Sequence, residues 1–340
     1  MTTLAIKVPR MTRVTWYKHR TLVLAIPGMF LLAAALLVIA GLLPRHWISA
    51  QHFTYCQTYS DSGTSSSCLT ENSLPTLGVF GSFVTYFRTE GAVLAVFSLA
   101  GVAGLLGGVP WVAREFEGGG FRFTWAQSVS PRRWLLGTFG LLTLLAAVAA
   151  AICGVAAHWW FQVTQFPPGG ANPWGWQSIE TAPLAMASWT LLAMALALLL
   201  GVLIRRVLPA MIAFAVTFGG CVLLAQTWLP EFLFRVGESS VRIIDSPNQT
   251  YPDMSYIAQT WFARPGGPKL NTQAVVEQLR GDSTAQGNRW LAQRHLSEWI
   301  AYQPHSHLVW LVLARNGILV AAAAVAVLAS VWWLPRHPAE

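Results

Sequence analysis

The chain has 340 residues, of which 54% are hydrophobic and 11% are charged, and its formal net charge is +8 at pH 7. Soluble domains carry about 25% charged residues, so this composition excludes an ordinary soluble protein and indicates a membrane protein. The basic excess is arginine, because the only lysines are Lys7, Lys18 and Lys269. The arginines border apolar runs, and this pattern favours lipid headgroups over nucleic acid as the contact partner.

Six apolar runs are long enough to cross a bilayer as helices, since a hydrocarbon core of about 30 Å needs roughly 20 residues. They cover residues 21–43, 91–113, 134–157, 183–204, 207–229 and 308–334. Helix is the expected form because lipid offers no hydrogen-bond partner to an open backbone. The sequence therefore predicts an all-α polytopic membrane protein with six transmembrane helices.

The positions of the basic residues predict that both termini are cytoplasmic. With the N-terminus inside, the cytoplasmic segments hold twelve basic residues, namely Lys7, Arg10, Arg13, Lys18, Arg20, Arg114, Arg122, Arg132, Arg133, Arg205, Arg206 and Arg336. The outer connections before the long loop hold Arg45 and Arg88. The predicted organisation is five spans within residues 1–229, an extracytoplasmic loop over 230–307, and the last span with a cytoplasmic tail over 308–340.

The long loop is predicted to be a small, mostly helical insertion between the fifth and sixth spans. Two stretches in it, "TQAVVEQLRG" and "NRWLAQRHLSEWI", are typical of short amphipathic helices. Gly281 would end the first of them, because glycine accepts the left-handed backbone of a helix terminus.

Cys56 and Cys68 bound a Ser/Thr-rich stretch, "CQTYSDSGTSSSC", in the first outer connection. An oxidising compartment permits a disulfide there, so the pair is a candidate disulfide. Two free thiols are the alternative.

Motifs for chemistry within this chain are missing. A P-loop needs Gly-Lys-Ser/Thr so that the lysine reaches the phosphates, and none of the three lysines follows a glycine. His305 and His307 are too few for a metal site, which needs three or four convergent ligands. No Gly-x-Ser-x-Gly nucleophile motif occurs either. We expect no catalytic residue, no metal and no cofactor in this chain.

Arg315 and Asn316 lie within the sixth apolar run. A charge in a span is costly and usually faces protein or water, so these residues are candidates for lining a translocation path. The alternative is an arginine that reaches the outer headgroups.

The connection between the second and third spans reads "AREFEGGGFRFTWAQSVSPRRW". Gly118, Gly119 and Gly120 are expected to end the second helix. Phe121, Phe123 and Trp125 then suit an amphipathic element at the membrane surface. Ser130 and Pro131 are typical of the cap and first residue of a helix, which would start the third span.

Three stretches together resemble ABC-2-type transporter permeases: "AREFEGGGFRFTWAQSVSPRRWLLGT" in the middle, "TWYKHR" near the start, and "AYQPHS" before the last span. The resemblance is narrower to permeases common in actinobacteria. It implies a type V exporter-like permease fold in a bacterial plasma membrane. Apart from the resemblance, aromatic outer loops such as "HWWFQVTQFPPGGANPWGW" suggest an amphipathic or hydrophobic compound or a peptide as the cargo.

The same resemblance implies that ATP and magnesium bind a separate ATP-binding cassette subunit, and that this chain pairs with a second permease, identical or paralogous. Residues 114–133 would be the segment that couples the two kinds of subunit. Its candidate contact residues are Arg114, Glu115, Glu117, Phe121, Arg122 and Trp125. Two other functions remain as alternatives to a permease. The chain could be a membrane-embedded transferase that acts through the outer loop, or a membrane sensor or assembly protein that transports nothing.

Overall fold

The computed structural model describes residues 9–50, 54–55, 68–69, 92–118, 131–164, 176–236, 240–244, 256–264, 267–270, 275, 277, 284–303, 305–334 and 336. The chain divides into two compact units. The first comprises Met1–Ala171, Gly175–Leu223 and Asn316–Glu340, and the second comprises Asn172–Trp174 and Leu224–Arg315.

Six helical stretches are long and apolar enough to cross a membrane, as predicted. The first lies in α1 (Pro9–Ala50), and the second comprises α2 (Ala92–Val102), a π-helical turn (Ala103–Gly108) and α3 (Val109–Glu117). The third lies in α4 (Pro131–Thr164), and the short α5 (Trp176–Glu180) precedes the fourth, α6 (Pro183–Ile204). The fifth lies in α7 (Val207–Val236). The sixth is α9 (Leu308–Trp333), which follows a 3-10 turn at His305–His307.

Local residues explain several helix ends. α4 begins at Pro131, as expected from its Ser-Pro start. α6 also begins with a proline, which suits the first helical position because it has no N–H to leave unpaired. α6 ends where Arg205 adopts a left-handed backbone with φ 58°, and its N–H bonds to the Gly201 carbonyl. Only Arg205 and Arg206 separate α6 from α7.

Glycines let the second span approach three other helices closely. A Cβ on Gly104 would collide with the Phe214 ring of α7, and one on Gly107 would collide with Ile26 of α1. A Cβ on Gly108 would lie 2.7 Å from the Ala197 Cβ of α6. Close approach through small residues is a common way for membrane helices to pack. These glycines therefore serve three neighbouring helices, and Gly104 meets α6 as well as α7, since its Cβ would lie 3.0 Å from the Ala193 carbonyl oxygen.

The second unit contains a three-stranded antiparallel sheet built from β3 (Ser240–Ile244), β4 (Tyr256–Ala263) and β5 (Ser297–Gln303), with β5 in the centre. The helix α8 (Thr284–Gln293) precedes β5. Trp261 and Trp299 are directly opposite each other on β4 and β5, and their rings stack at 6.4 Å. Such cross-strand aromatic pairs stabilise a sheet.

The prediction of a mostly helical insertion is wrong for the described part of residues 230–307. "NRWLAQRHLSEWI" begins as α8, but the helix stops at Gln293 and His295 takes a left-handed backbone with φ 52°. The remaining "SEWI" belongs to the central strand β5, which gains backbone partners on both sides. Val275 and Glu277 of the other predicted helix are helical, whereas Gly281 lies outside the described residues.

The connection between the first and second spans is described only at β1 (Thr54–Tyr55) and β2 (Cys68–Leu69), which pair in parallel. Cys68 lies opposite Thr54 in this pair. Cys56 lies outside the described residues, so the disulfide between Cys56 and Cys68 stays a prediction.

Candidate coupling site

The second and fourth spans are packed together along three successive turns that lead to the polar connection after Glu117. A Cβ on Gly108 would lie 2.7 Å from the Ala197 Cβ, and a Cβ on Gly201 would lie 2.9 Å from the Val112 Cβ. The contact positions are therefore four residues apart on both helices, which places them on one face of each. Since residue numbers rise together along the contact, α3 and α6 run in the same direction.

One turn further along, the contact between α3 and α6 includes a charged side chain, that of Arg205. The Arg205 guanidinium carbon lies 5.7 Å from the centre of the Phe116 ring, within the range of a cation–π interaction. Arg205 Nε also donates to the Val202 carbonyl at 3.4 Å. This bond satisfies one of the carbonyls left open at a helix C-terminus, where a cation is favoured. The Phe116 ring of α3 therefore packs against the Arg205 guanidinium, and the bond to the Val202 carbonyl holds that guanidinium at the end of α6.

Glu117 extends the contact to the fifth span. The Val207 backbone N–H, at the start of α7, donates to Glu117 Oε1 at 3.3 Å. The first N–H groups of a helix have no partner within it, and a carboxylate there is favoured by the helix dipole. The last residue of α3 therefore caps α7, and the second, fourth and fifth spans meet at one end. We call the six residues Val112, Phe116, Glu117, Gly201, Arg205 and Val207 the junction.

The structure describes three of the six predicted coupling residues and gives each a different environment. Arg114 is exposed on the last turns of α3, whereas Glu115 is only 8% exposed and faces protein. Glu117 is exposed, but its carboxylate bonds within the chain. Phe121, Arg122 and Trp125 lie outside the described residues. In the sequence analysis, Arg205 was used only as one of the basic residues that predict which side of the membrane each connection faces. The two-residue connection between two spans was the signal that it occupies a constrained turn.

The residues predicted for a translocation path lie inside the protein. Arg315 is 1% exposed and Asn316 is 6% exposed. The alternative of an arginine reaching the headgroups does not fit such burial. The Ser188 hydroxyl of α6 lies 2.7 Å from Asn316 Oδ1 of α9 and 2.9 Å from the Ala185 carbonyl oxygen. Asn316 therefore joins the fourth and sixth spans through a polar contact.

Sequence reasoning missed a buried carboxylate beside this contact. Glu180, at the end of α5, is fully buried, and Trp189 Nε1 donates to its Oε2 at 3.3 Å. Trp189 packs edge-on against Phe97 and Phe218, with ring centres 4.9 and 5.9 Å away. A buried acid next to a span is a functional candidate by default. The sequence signal for Glu180 was its position three residues before Pro183, where the fourth span begins.

The described residues contain no group of three or more histidine, cysteine, aspartate or glutamate side chains that would hold a metal ion. The polar groups at the junction and around Ser188 instead hold helices together.

These features define a multi-pass membrane protein with six spans whose polar contacts join the second, fourth, fifth and sixth. Residues 14–230 match the family described as ABC-2 membrane transporter related, so the chain belongs to this family. It matches no curated protein and no solved structure. Membrane subunits of this family are typically non-catalytic.

Proposed function

We propose that this chain is the permease subunit of an ATP-driven exporter in a bacterial plasma membrane, and that a separate ATP-binding cassette subunit supplies the energy. Family membership supports the class. The observation that carries the mechanism is the hydrogen bond from Val207 N–H to Glu117. This bond links the end of the second span, immediately before the proposed contact segment, to the start of the fifth. A second permease, identical or paralogous, would complete the transporter.

The junction suits the transmission of force. Residues 119–130 follow α3 immediately, and α3 is packed on α6 without room for an added methyl group at Gly108 or Gly201. Close-packed interfaces move as units and do not deform continuously. A push on the segment would therefore move α3 together with the facing turns of α6, and through Glu117 it would reach α7.

Arg114 is the charged residue of α3 best placed to meet the ATP-binding subunit. It is exposed, whereas Glu115 is buried and Glu117 bonds to the start of α7. Phe121, Arg122 and Trp125 complete the proposed contact. Arg315 and Asn316 would border the path of an amphipathic or hydrophobic compound or a peptide, where the buried amide offers one polar contact in apolar surroundings.

Purification of the full-length chain from its native membrane in a mild detergent tests the partner. We expect a chain with a Walker A motif to co-purify and to hydrolyse ATP. Arg114→Ala should lower that hydrolysis at least fivefold, and Arg336→Ala, which removes an exposed cation after α9, should leave it unchanged. If no Walker A protein accompanies the chain, the permease assignment fails. Equal activity of both variants would remove only the role of Arg114.

Glu117 allows a sharper test of force transmission. Glu117→Ala removes the acceptor for Val207 N–H, whereas Glu117→Gln keeps an acceptor oxygen and loses only the charge. We expect the alanine variant to lose at least fivefold in ATP hydrolysis by the complex with its stability little changed, and the glutamine variant to stay within twofold. Equal loss in both variants would mean that charge, and not the bond to α7, is what matters.

A further inference from the structure

A cleft of about 350 Å³ lies between α4, α6 and α9, within the first unit. Its floor includes Leu135, Phe139 and Leu198, each at most 3% exposed. Its rim includes Leu136 and Leu144, which are 50% and 60% exposed. Buried floor and open rim mean that the cleft is a groove that faces the lipid.

The groove exists because small residues meet where the three helices come together. Gly140 of α4, Ala195 of α6 and Ala323 and Ala324 of α9 all line it. A Cβ on Gly140 would meet no atom within 4 Å. Helices with larger residues at these positions would fill the space themselves.

The position of the groove matches one leaflet. Its lining on α4 runs from Leu135 to Leu144, a rise of about 14 Å at 1.5 Å per residue, against about 15 Å for half of a hydrocarbon core. Its lining on α6 ends six residues before Ile204, and that on α9 ends six residues before Trp333. The groove therefore lies in the half of the membrane nearest the junction.

The width of the groove selects its occupant. Spread over about 14 Å of helix rise, the volume of about 350 Å³ gives a mean cross-section of about 25 Å². A helix about 10 Å across has a cross-section of about 80 Å², so a helix of a second copy could place only its side chains in the groove. A single extended hydrocarbon chain is the right size.

The chemistry agrees with this choice. Thr143 supplies the only side-chain hydroxyl among the lining residues, and none of them is charged. A sugar or a peptide backbone buried there would lose hydrogen bonds to water without replacement. One turn before Leu135 the sequence has Arg132 and Arg133, which would suit a phosphate at the membrane surface.

We propose that this groove binds one acyl chain of a membrane phospholipid from the leaflet next to the junction. The chain would pack on Leu135, Phe139 and Leu198 and fill the space left by Gly140. A lipid held there would join α9 to α4 and α6 along a contact that protein atoms alone leave open. The proposal is independent of any ATP-binding subunit.

The test uses the full-length chain in vesicles that contain a phospholipid with a photoreactive diazirine in the middle of one acyl chain. Cross-linked peptides are then quantified by mass spectrometry. We expect labelling to concentrate in residues 135–144 and 320–327. Gly140→Trp should lower it at least fivefold by filling the groove. The matched control is Gly137→Trp on the same helix, where a Cβ also meets nothing within 4 Å but the residue does not line the groove.

Two results would overturn the proposal. Labelling in Gly140→Trp could equal that of the unchanged chain, or labelling of the groove could be no denser than labelling of the exposed α7 face at Leu208, Ile212 and Val216. If Gly140→Trp does not fold, Ala324→Leu narrows the groove from α9 and gives the same comparison.

Discussion

The fourth and fifth spans are neighbours in sequence with the same mean hydropathy of 2.3, yet their surroundings are opposite. In α6, 67% of the most apolar window is buried in protein, against 17% in α7. The difference teaches that hydropathy identifies a span without saying what covers it, because lipid tails are as apolar as leucine. Small and polar residues at contact positions, such as Gly201 and Ser188 of α6, mark the helix that is surrounded by protein.

Exchanging one tryptophan for alanine in each helix should give the largest contrast. Trp189 of α6 is fully buried between Phe97 and Phe218, whereas Trp228 of α7 is 75% exposed. Trp189→Ala should lower the free energy of unfolding by about 3 kcal/mol, the low end for a buried aromatic residue, since lipid replaces water around the separated helices. Trp228→Ala should change it by less than about 0.5 kcal/mol. Detergent-induced unfolding followed by circular dichroism measures both, and equal losses would contradict the contrast.

Glycines provide the next contrast. A Cβ on Gly201 of α6 would lie 2.9 Å from Val112, whereas one on Gly220 of α7 would meet nothing within 4 Å. Gly201→Leu should cost about 2 kcal/mol through overpacking, and Gly220→Leu should be neutral or slightly stabilising because leucine favours helix. The same unfolding measurement applies. A large loss for Gly220→Leu in the intact complex, but not in the isolated chain, would show that a protein partner covers α7.

The smallest contrast concerns hydroxyl groups. Ser188→Ala removes the contact with Asn316 and should cost about 1 kcal/mol. Thr217→Val removes an exposed hydroxyl on α7 without changing its shape and should cost almost nothing. The Ser188 hydroxyl meets the Asn316 side chain and the Ala185 carbonyl oxygen, so a similar stability for both variants would mean that these contacts contribute little.

The spans were predictable because an uncharged apolar run of about 20 residues has one stable form in a membrane, the transmembrane helix. The prediction of 183–204 gives both ends of α6, since Pro183 starts it and the two arginines follow it directly. The neighbours of each span were not predictable, because they depend on which glycine meets which ring. Gly104, for example, meets both the Phe214 ring of α7 and the Ala193 carbonyl oxygen of α6.

Residues 230–307 show a different limit of prediction from sequence. β5 is a strand because β3 and β4, more than 30 residues earlier in the chain, pair with it on both sides. The first four residues of β5, "SEWI", were predicted to be the end of a helix, since periodicity in so short a run does not separate helix from strand. Arg114 and Glu117 were predicted as coupling residues beside a polar connection, and this role stays a prediction. The bond from Val207 to Glu117 joins residues 90 positions apart, and no local pattern reports it.

The π-helical turn at Ala103–Gly108 has a consequence for related chains. Val109 N–H bonds to the Gly104 carbonyl, five residues back, so the turn holds one residue more than a regular α-helical turn. Gly101, before the turn, meets Phe218 of α7, while Val112, after it, meets Gly201 of α6. A homologue shorter by one residue between positions 103 and 108 would pass through the same stretch as an unbroken α-helix with both contacts in register. A single-residue gap in an alignment would fall here without disturbing the junction.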